Sequence, residues 1–236
     1  IVQRSPSGEL TPNARLLLAQ SLHRAGAIEP ASGAYRQVID SAPTELAQEA
    51  TLGLGQLLRQ QRKLDESAQL LDELIRSQPD SPMAPRARLE RARVWYDLGE
   101  EDRAAPMLQA IAESESVDLH DDADYWLAKC AMRRGDYTEA ASRLAEAEAR
   151  YPKSELRPEI VYDRSVALSR ADRTDEAGEV IAVFLDRYPR HRLTPDALHA
   201  AASIEYARAR YELSLIPLRP RRPSTPLQSP RPPSQP

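Results

Sequence analysis

The sequence predicts an all-α protein built as a solenoid of helix hairpins, and three observations carry that expectation. Ala, Leu, Glu, Arg and Gln are prominent while Val, Ile and Thr are sparse, with a single phenylalanine in 236 residues. These are strong helix formers, and too few β-branched residues remain for a β protein. A fixed set of small and large positions returns every 36 or 37 residues. Prolines recur in pairs at the same interval, as expected between helices rather than inside them.

The clearest copy is DYWLAKCAMRRGDYTEAASRLAEAEARYPKS, from Asp124 to Ser154. Leu127, Ala128 and Ala131 share one face of a first helix, and Ala140, Leu144 and Ala147 share one face of a second. Gly135 supplies the left-handed conformation that ends a helix, and Asp136 is placed to cap the next one. A pair of about 34 residues cannot bury its apolar face alone, so it needs neighbours of the same kind.

Those neighbours align on the turn position: Gly26, Arg62, Gly99, Gly135, Asp172 and Ala209. Two residues on stand Ile28, Leu64, Glu101, Tyr137, Thr174 and Tyr211. Three further on is always a small residue: Ala31, Ser67, Ala104, Ala140, Ala177, Ser214. Where two helices cross closely, only Ala, Gly or Ser lets their backbones approach. Four beyond lies a large one: Tyr35, Leu71, Leu108, Leu144, Ile181, Leu218. Arg62, Asp172 and Ala209 replace glycine and enter the left-handed region less readily, so those turns are expected to differ in geometry or to be looser.

The connectors QPDSPMAPRA, YPKSELRPE and YPRHRLTPD share one design. The first proline (Pro79, Pro152, Pro189) stops a helix. The second (Pro85, Pro158, Pro195) sits in the first turn of the next. SAPTELAQEA and SESVDLHDD depart from it. The opening SPSGELTPNA repeats it with Pro6 and Pro12, so residues 1–11 read as the end of a preceding repeat and its connector, cut from a longer array. Residues 12–216 then hold five repeats and a partial sixth. Residues 217–236 carry eight prolines and read as an extended or disordered Pro/Arg-rich tail. Its match to a proline-rich ligand pattern is a common one.

The last twenty residues hold four arginines and no acid, leaving 28 basic against 36 acidic residues in the body. That balance argues against a nucleic-acid partner, which would call for a basic stripe. Cys130 is the only cysteine, so there is neither an internal disulfide nor a cysteine metal cluster. It lies in the apolar stretch Lys129–Met132 and reads as a packed thiol. No apolar run approaches the roughly 18 residues of a membrane span, while a membrane anchor upstream of Ile1 stays open. Asp118, His120, Asp121, Asp122 and Asp124 could be read as hard-metal ligands, but acids at a helix start are explained by the dipole. No HExxH or Ser/His/Asp order is present, so no catalytic residue, metal or cofactor is expected.

These residues resemble the tetratricopeptide repeat, with Leu127-Ala128, Gly135-x-Tyr137-x-x-Ala140 and the terminal Pro152 as its motif, from residue 1 to about 216. The period and the Tyr-Pro-x-Ser-x-x-x-Pro connector look most like the bacterial envelope branch, which includes a Tol–Pal-associated cell-division coordinator and an outer-membrane assembly lipoprotein. The resemblance implies a right-handed α-solenoid of TPR-like hairpins whose first helices line a concave groove. Carried over to this chain, the groove stripe includes Arg59, Arg86, Arg93, Tyr96, Tyr125, Lys129, Tyr162 and Tyr206. Aromatics and arginine are the residues that interfaces favour. The basic members suggest a protein or peptide partner with acidic groups. They do not match the carboxylate-clamp pattern that holds chaperone tails. The expected function is a non-enzymatic interaction scaffold, periplasmic or cell-envelope associated. The alternative is an interaction module of a larger cytoplasmic regulatory or signalling protein.

Overall fold

The computed structural model describes residues 11–114 and 117–215. The expectations for residues 1–10 and for the tail after Leu215 lie outside the described residues. Eleven α-helices follow one another there: α1 (Pro12–Arg24), α2 (Ile28–Ser41), α3 (Thr44–Gln60), α4 (Leu64–Ser77), α5 (Ala84–Leu98), α6 (Glu101–Ala112), α7 (His120–Arg134), α8 (Tyr137–Arg150), α9 (Arg157–Arg170), α10 (Thr174–Arg187) and α11 (Thr194–Leu215). A single 3-10 turn, Val117–Leu119, precedes α7. Each helix packs on the next, giving five antiparallel hairpins and a final single helix.

The small positions sit at the crossing of each hairpin. Ala31, Ser67, Ala104, Ala140 and Ala177 are all fully buried, and Tyr35, Leu71, Leu108, Leu144 and Ile181 pack just beyond them. Facing them from the first helices are further small residues, Ala19, Gly55, Ala92, Ala128 and Ser165, all buried. The two rows leave no room for a larger side chain. Ser67 is the one hydroxyl in its row, and its Oγ donates to the Gly55 carbonyl at 2.8 Å, so no buried polar group is left without a partner there. A Cβ on Gly55 would stand 2.9 Å from Leu71.

All five hairpin turns close the same way. The residue after the turn donates its N–H five positions back: Ala27 to Leu22, Lys63 to Leu58, Glu100 to Trp95, Asp136 to Ala131 and Arg173 to Leu168, at 2.9–3.0 Å. This long bond requires a left-handed residue between helices. Gly26, Gly99 and Gly135 have φ of 73°, 81° and 87°, and Arg62 and Asp172 have φ of 61° and 60°. The expectation of looser or different turns at Arg62 and Asp172 is thus corrected. Packing of the hairpin imposes the left-handed conformation, and the side chain bears the strain. Asp136 is also corrected as a cap: it stands at the N-cap of α8 but makes no capping bond, and its carboxylate instead accepts from Arg134 Nε at 3.3 Å.

The third correction concerns Ala209. No turn forms there, and α11 runs unbroken for 22 residues through it. With no glycine at this turn position, a run of good helix formers has no reason to bend. In α11 the face that would meet a second helix has changed character. Ala202 is exposed where its five counterparts are buried, and Glu205 stands where Leu22, Leu58, Trp95, Ala131 and Leu168 stand in earlier repeats.

The connectors explain their own motif. Ser81 accepts the N–H of Met83 and donates to Gln48 at 2.5 Å; Ser154 accepts the N–H of Leu156 and donates to Asp121 at 2.6 Å. His191 takes the same place in the next connector, accepting from Leu193 N at 3.3 Å. The two serines each tie a connector to the first helix of the repeat before it.

Overpacking the crossing has a definite consequence: Ala140→Leu should lower stability by about 1–3 kcal/mol, read as a fall in melting temperature. An unchanged melting temperature would remove Ala140 from the crossing. Relief of backbone strain should act the other way. Asp172→Gly is expected to raise stability by up to about 1 kcal/mol in urea unfolding, whereas Gly135→Ala should lower it by a similar amount.

Candidate functional site

Neighbouring first helices touch along the solenoid, α1 on α3, α3 on α5, α5 on α7 and α9 on α11, whereas the second helices are held apart by the first helices between them. The first-helix face is therefore the inner one. Side chains on it are joined by a repeated bond in which a donor on one first helix reaches a carboxylate on the next. Gln20 donates to Glu49 at 2.8 Å and Gln56 to Glu90 at 3.1 Å. Arg93 pairs with Asp122, and Lys129 Nζ lies 2.9 Å from Asp163. The four donors occupy one position of the repeat. The ladder ends at Val166, which holds the equivalent place in α9 and cannot donate.

Two rungs are buried. Glu90 is 3% exposed and receives Arg93 at 2.6 Å as well as Gln56, with Arg59 Nε at 3.4 Å from its other oxygen. Asp163 is 6% exposed and accepts from both Tyr125 Oη at 2.8 Å and Lys129. Burial, reinforced by the Asp163 charge, raises the Tyr125 hydroxyl above its ordinary range, so it remains a donor across the physiological range. Arg59 reaches further along the groove to Asp97 at 3.0 Å.

This arrangement redistributes the expected stripe. Arg59, Arg93 and Lys129 do not form a free basic stretch, because each is engaged with a carboxylate of the following repeat. Tyr125 is buried at 8% exposure, under the groove rather than on it. Tyr96 is half-buried against Trp126, with ring centroids 5.1 Å apart and the Arg133 guanidinium 3.8 Å over its ring. Tyr162 is half-buried and tilted against Phe184 at 5.9 Å. Arg86 and Tyr206 are both exposed. The eight residues thus divide into a structural half and a solvent-facing half. Gln20, Glu49 and Gln56 fall on the first-helix positions that the repeat resemblance places in the groove, whereas Glu90 and Asp163 lie outside those positions and were missed. Aligning the repeats at their 36- or 37-residue period exposes the row of donors.

Two cavities open on this face. One of about 440 Å³ is lined by α1, α3, α5 and the start of α7, with Leu52, Leu89 and Leu119 among polar side chains that include Glu49, Glu90, Arg86, Arg93, Asp118 and Asp122. The other, about 630 Å³, is ringed by Gln20, His23, Arg24, Tyr35, Gln56 and Gln60. Gly53 belongs to the wall of the first, since a Cβ there would lie 2.7 Å from the Tyr35 ring.

The acids considered as metal ligands are turned to other uses. His120 Nε2 is 2.8 Å from the Ser114 carbonyl, Asp121 accepts from Ser154, Asp122 pairs with Arg93, and Asp124 accepts from Tyr151 Oη at 2.7 Å. Cys130 is fully buried, and that burial pushes its thiol up to about 11.

Removing a buried rung should be expensive. Asp163→Ala leaves the Lys129 ammonium and the Tyr125 hydroxyl without their acceptor, a loss expected to reach about 2–4 kcal/mol. In a chain held by nearest-neighbour contacts the damage should stay local. Hydrogen exchange is expected to accelerate in α7 and α9 and to stay unchanged in α1 and α2; uniform acceleration would contradict a local role.

Residues 16–82 and 52–118 match the Tetratricopeptide repeat family, and residues 118–225 match the Outer membrane lipoprotein family. No curated protein matches the sequence. Among solved structures, a thermophilic TPR protein of Thermus thermophilus aligns with a TM-score of 0.66 at 16% identity, over 83% of this chain and 100% of its own. PilF of Pseudomonas aeruginosa aligns at 0.62 and 12% identity, over 85% and 91%. YrrB, described as a TPR protein with an unusual peptide-binding site, aligns at 0.53 and 21% identity, over 80% and 91%. At these identities the likeness is one of fold. Among the described residues no helix is long and apolar enough to cross a membrane. The chain is a tetratricopeptide-repeat protein of the bacterial envelope type, its second half matching the outer membrane lipoproteins.

Proposed function

We propose that this chain is a non-enzymatic scaffold of the bacterial cell envelope, on the periplasmic side, that holds an extended segment of a partner protein on its inner face. The observation that carries the reading is the pair of cavities along the inner face, one between α1, α3 and α5 and one between α1, α2 and α3, rimmed by amide and charged side chains. Gln20, Gln56 and Gln60 offer both donors and acceptors, which suits the main chain of an extended peptide. The match of residues 118–225 to outer membrane lipoproteins supports the compartment.

Within the stripe, Arg86, Tyr96, Tyr162 and Tyr206 are assigned to the partner. Arg59, Arg93, Tyr125 and Lys129 are assigned to holding the groove in shape. Acidic groups on a partner would meet Arg86 as the basic residue outside the ladder, so acid recognition is at most a local feature of the groove.

The test is cross-linked capture from separated envelope and cytosolic fractions, comparing the intact chain with Arg86→Ala/Tyr206→Ala, neither position being buried. The expected result is a partner from the envelope fraction whose recovery falls about tenfold, the effect of losing one or two interface anchors. Equal recovery by the variant would move the site off the inner face. Capture from the cytosolic fraction alone would sink the envelope assignment.

A further inference from the structure

We propose that the cavity between α1, α3, α5 and the start of α7 seats a positively charged side chain, lysine or arginine, of the bound segment. The inference rests on the groove reading above and adds the chemistry of the occupant.

Four carboxylates line this cavity, Glu49, Glu90, Asp118 and Asp122, against two guanidinium groups, Arg86 and Arg93. Arg93 is already divided between Glu90 and Asp122. Glu49 is bonded by the neutral amide of Gln20, which satisfies its geometry and leaves its charge. Asp118 is exposed at the rim. Arg59, which does not line the cavity, also pairs with Glu90 while shared with Asp97. The excess of negative charge that remains therefore lies at Glu49 and Asp118, with Arg86 the one cation of the lining outside these pairs. A partner anion placed here would meet that excess, whereas a cation would relieve it.

A second observation points into the same space. Glu90 is 3% exposed and lines the cavity, and its Oε2 is buried without a hydrogen bond. Its nearest cation, Arg59 Nε, lies 3.4 Å away as an ion pair without making a hydrogen bond, so a ligand able to donate would complete the oxygen. Burial also raises the Asp122 carboxyl above its ordinary range; Arg93 opposes the rise, and the charges of Asp121 and Glu90 add to it. The apolar part of the cavity fits the same occupant. Leu52, Leu89 and Leu119 are 8%, 4% and 8% exposed and offer a surface for the methylene stem of a long cationic side chain, with its head at the carboxylates.

The test is selection of a random-peptide phage library on the intact chain, followed by affinity measurement of synthetic copies against two variants. Glu49→Gln/Asp118→Asn removes two exposed charges of the cavity. Gln20→Trp fills the mouth shared by both cavities. Far-UV circular dichroism and melting establish that both variants fold. The expected outcome is enrichment of Lys and Arg among selected peptides, with binding about tenfold weaker in the double variant and absent in Gln20→Trp. Peptides that depend on Gln20 but show no cationic enrichment and no loss in the double variant would overturn the charge assignment and leave the groove. Peptides indifferent to Gln20→Trp, or no selected peptide, would overturn both.

Discussion

The close crossing of two helices in each hairpin is the constraint from which the rest follows. Small residues on both partners, such as Ala128 against Ala140, let the backbones approach, and once they approach the geometry of the whole repeat is set. The turn between the helices must then be short and left-handed. That demand is strong enough to hold Arg62 and Asp172 in a conformation that glycine adopts with less strain. Large residues one turn away, Leu71 or Leu144, fill the space where the helices diverge. The core is accordingly a string of local clusters along the solenoid rather than one nucleus.

Crossing within a hairpin says little about how one repeat sits on the next. On the inner face that role falls to the ladder from Gln20 to Asp163. Buried ion pairs of this kind add modestly to stability because desolvation offsets attraction. Their stronger effect is on geometry, since a misplaced repeat would strand a charge. The groove is held at a defined curvature by groups that would otherwise be available to a ligand. This explains why counting basic residues along the groove misjudges its charge.

The two ends of the array differ from its middle for the same physical reason. A first helix buries one side against its own second helix and another against the repeat before it. In α11 the first of these sides is small or polar, as at Ala202 and Glu205, while the helix still packs on α10 and α9. At the other end Leu17 and Leu18 of α1 remain exposed, at 61% and 42%. The family match to outer membrane lipoproteins falls on the half of the chain that holds α11.

Local chemistry made much of this legible in the sequence. Helix formers, proline pairs and a small residue at a constant offset identify hairpins, because each reports on contacts within about forty residues. The buried crossing residues could be named one by one on that basis. The candidate site was legible only in outline: the first-helix positions were identified, while their pairing was not. Whether Arg93 is free or bound to Asp122, and whether Tyr125 faces a partner or Asp163, depends on the rotation of one repeat on the next. That rotation is decided by contacts between first helices of successive repeats, and the carboxylates do not recur at one offset: 29 residues separate Gln20 from Glu49 and Arg93 from Asp122, but 34 separate Gln56 from Glu90 and Lys129 from Asp163. The donors form a row that the repeat period shows, but no constant offset gives their acceptors, so tertiary packing decided which charges pair with one another.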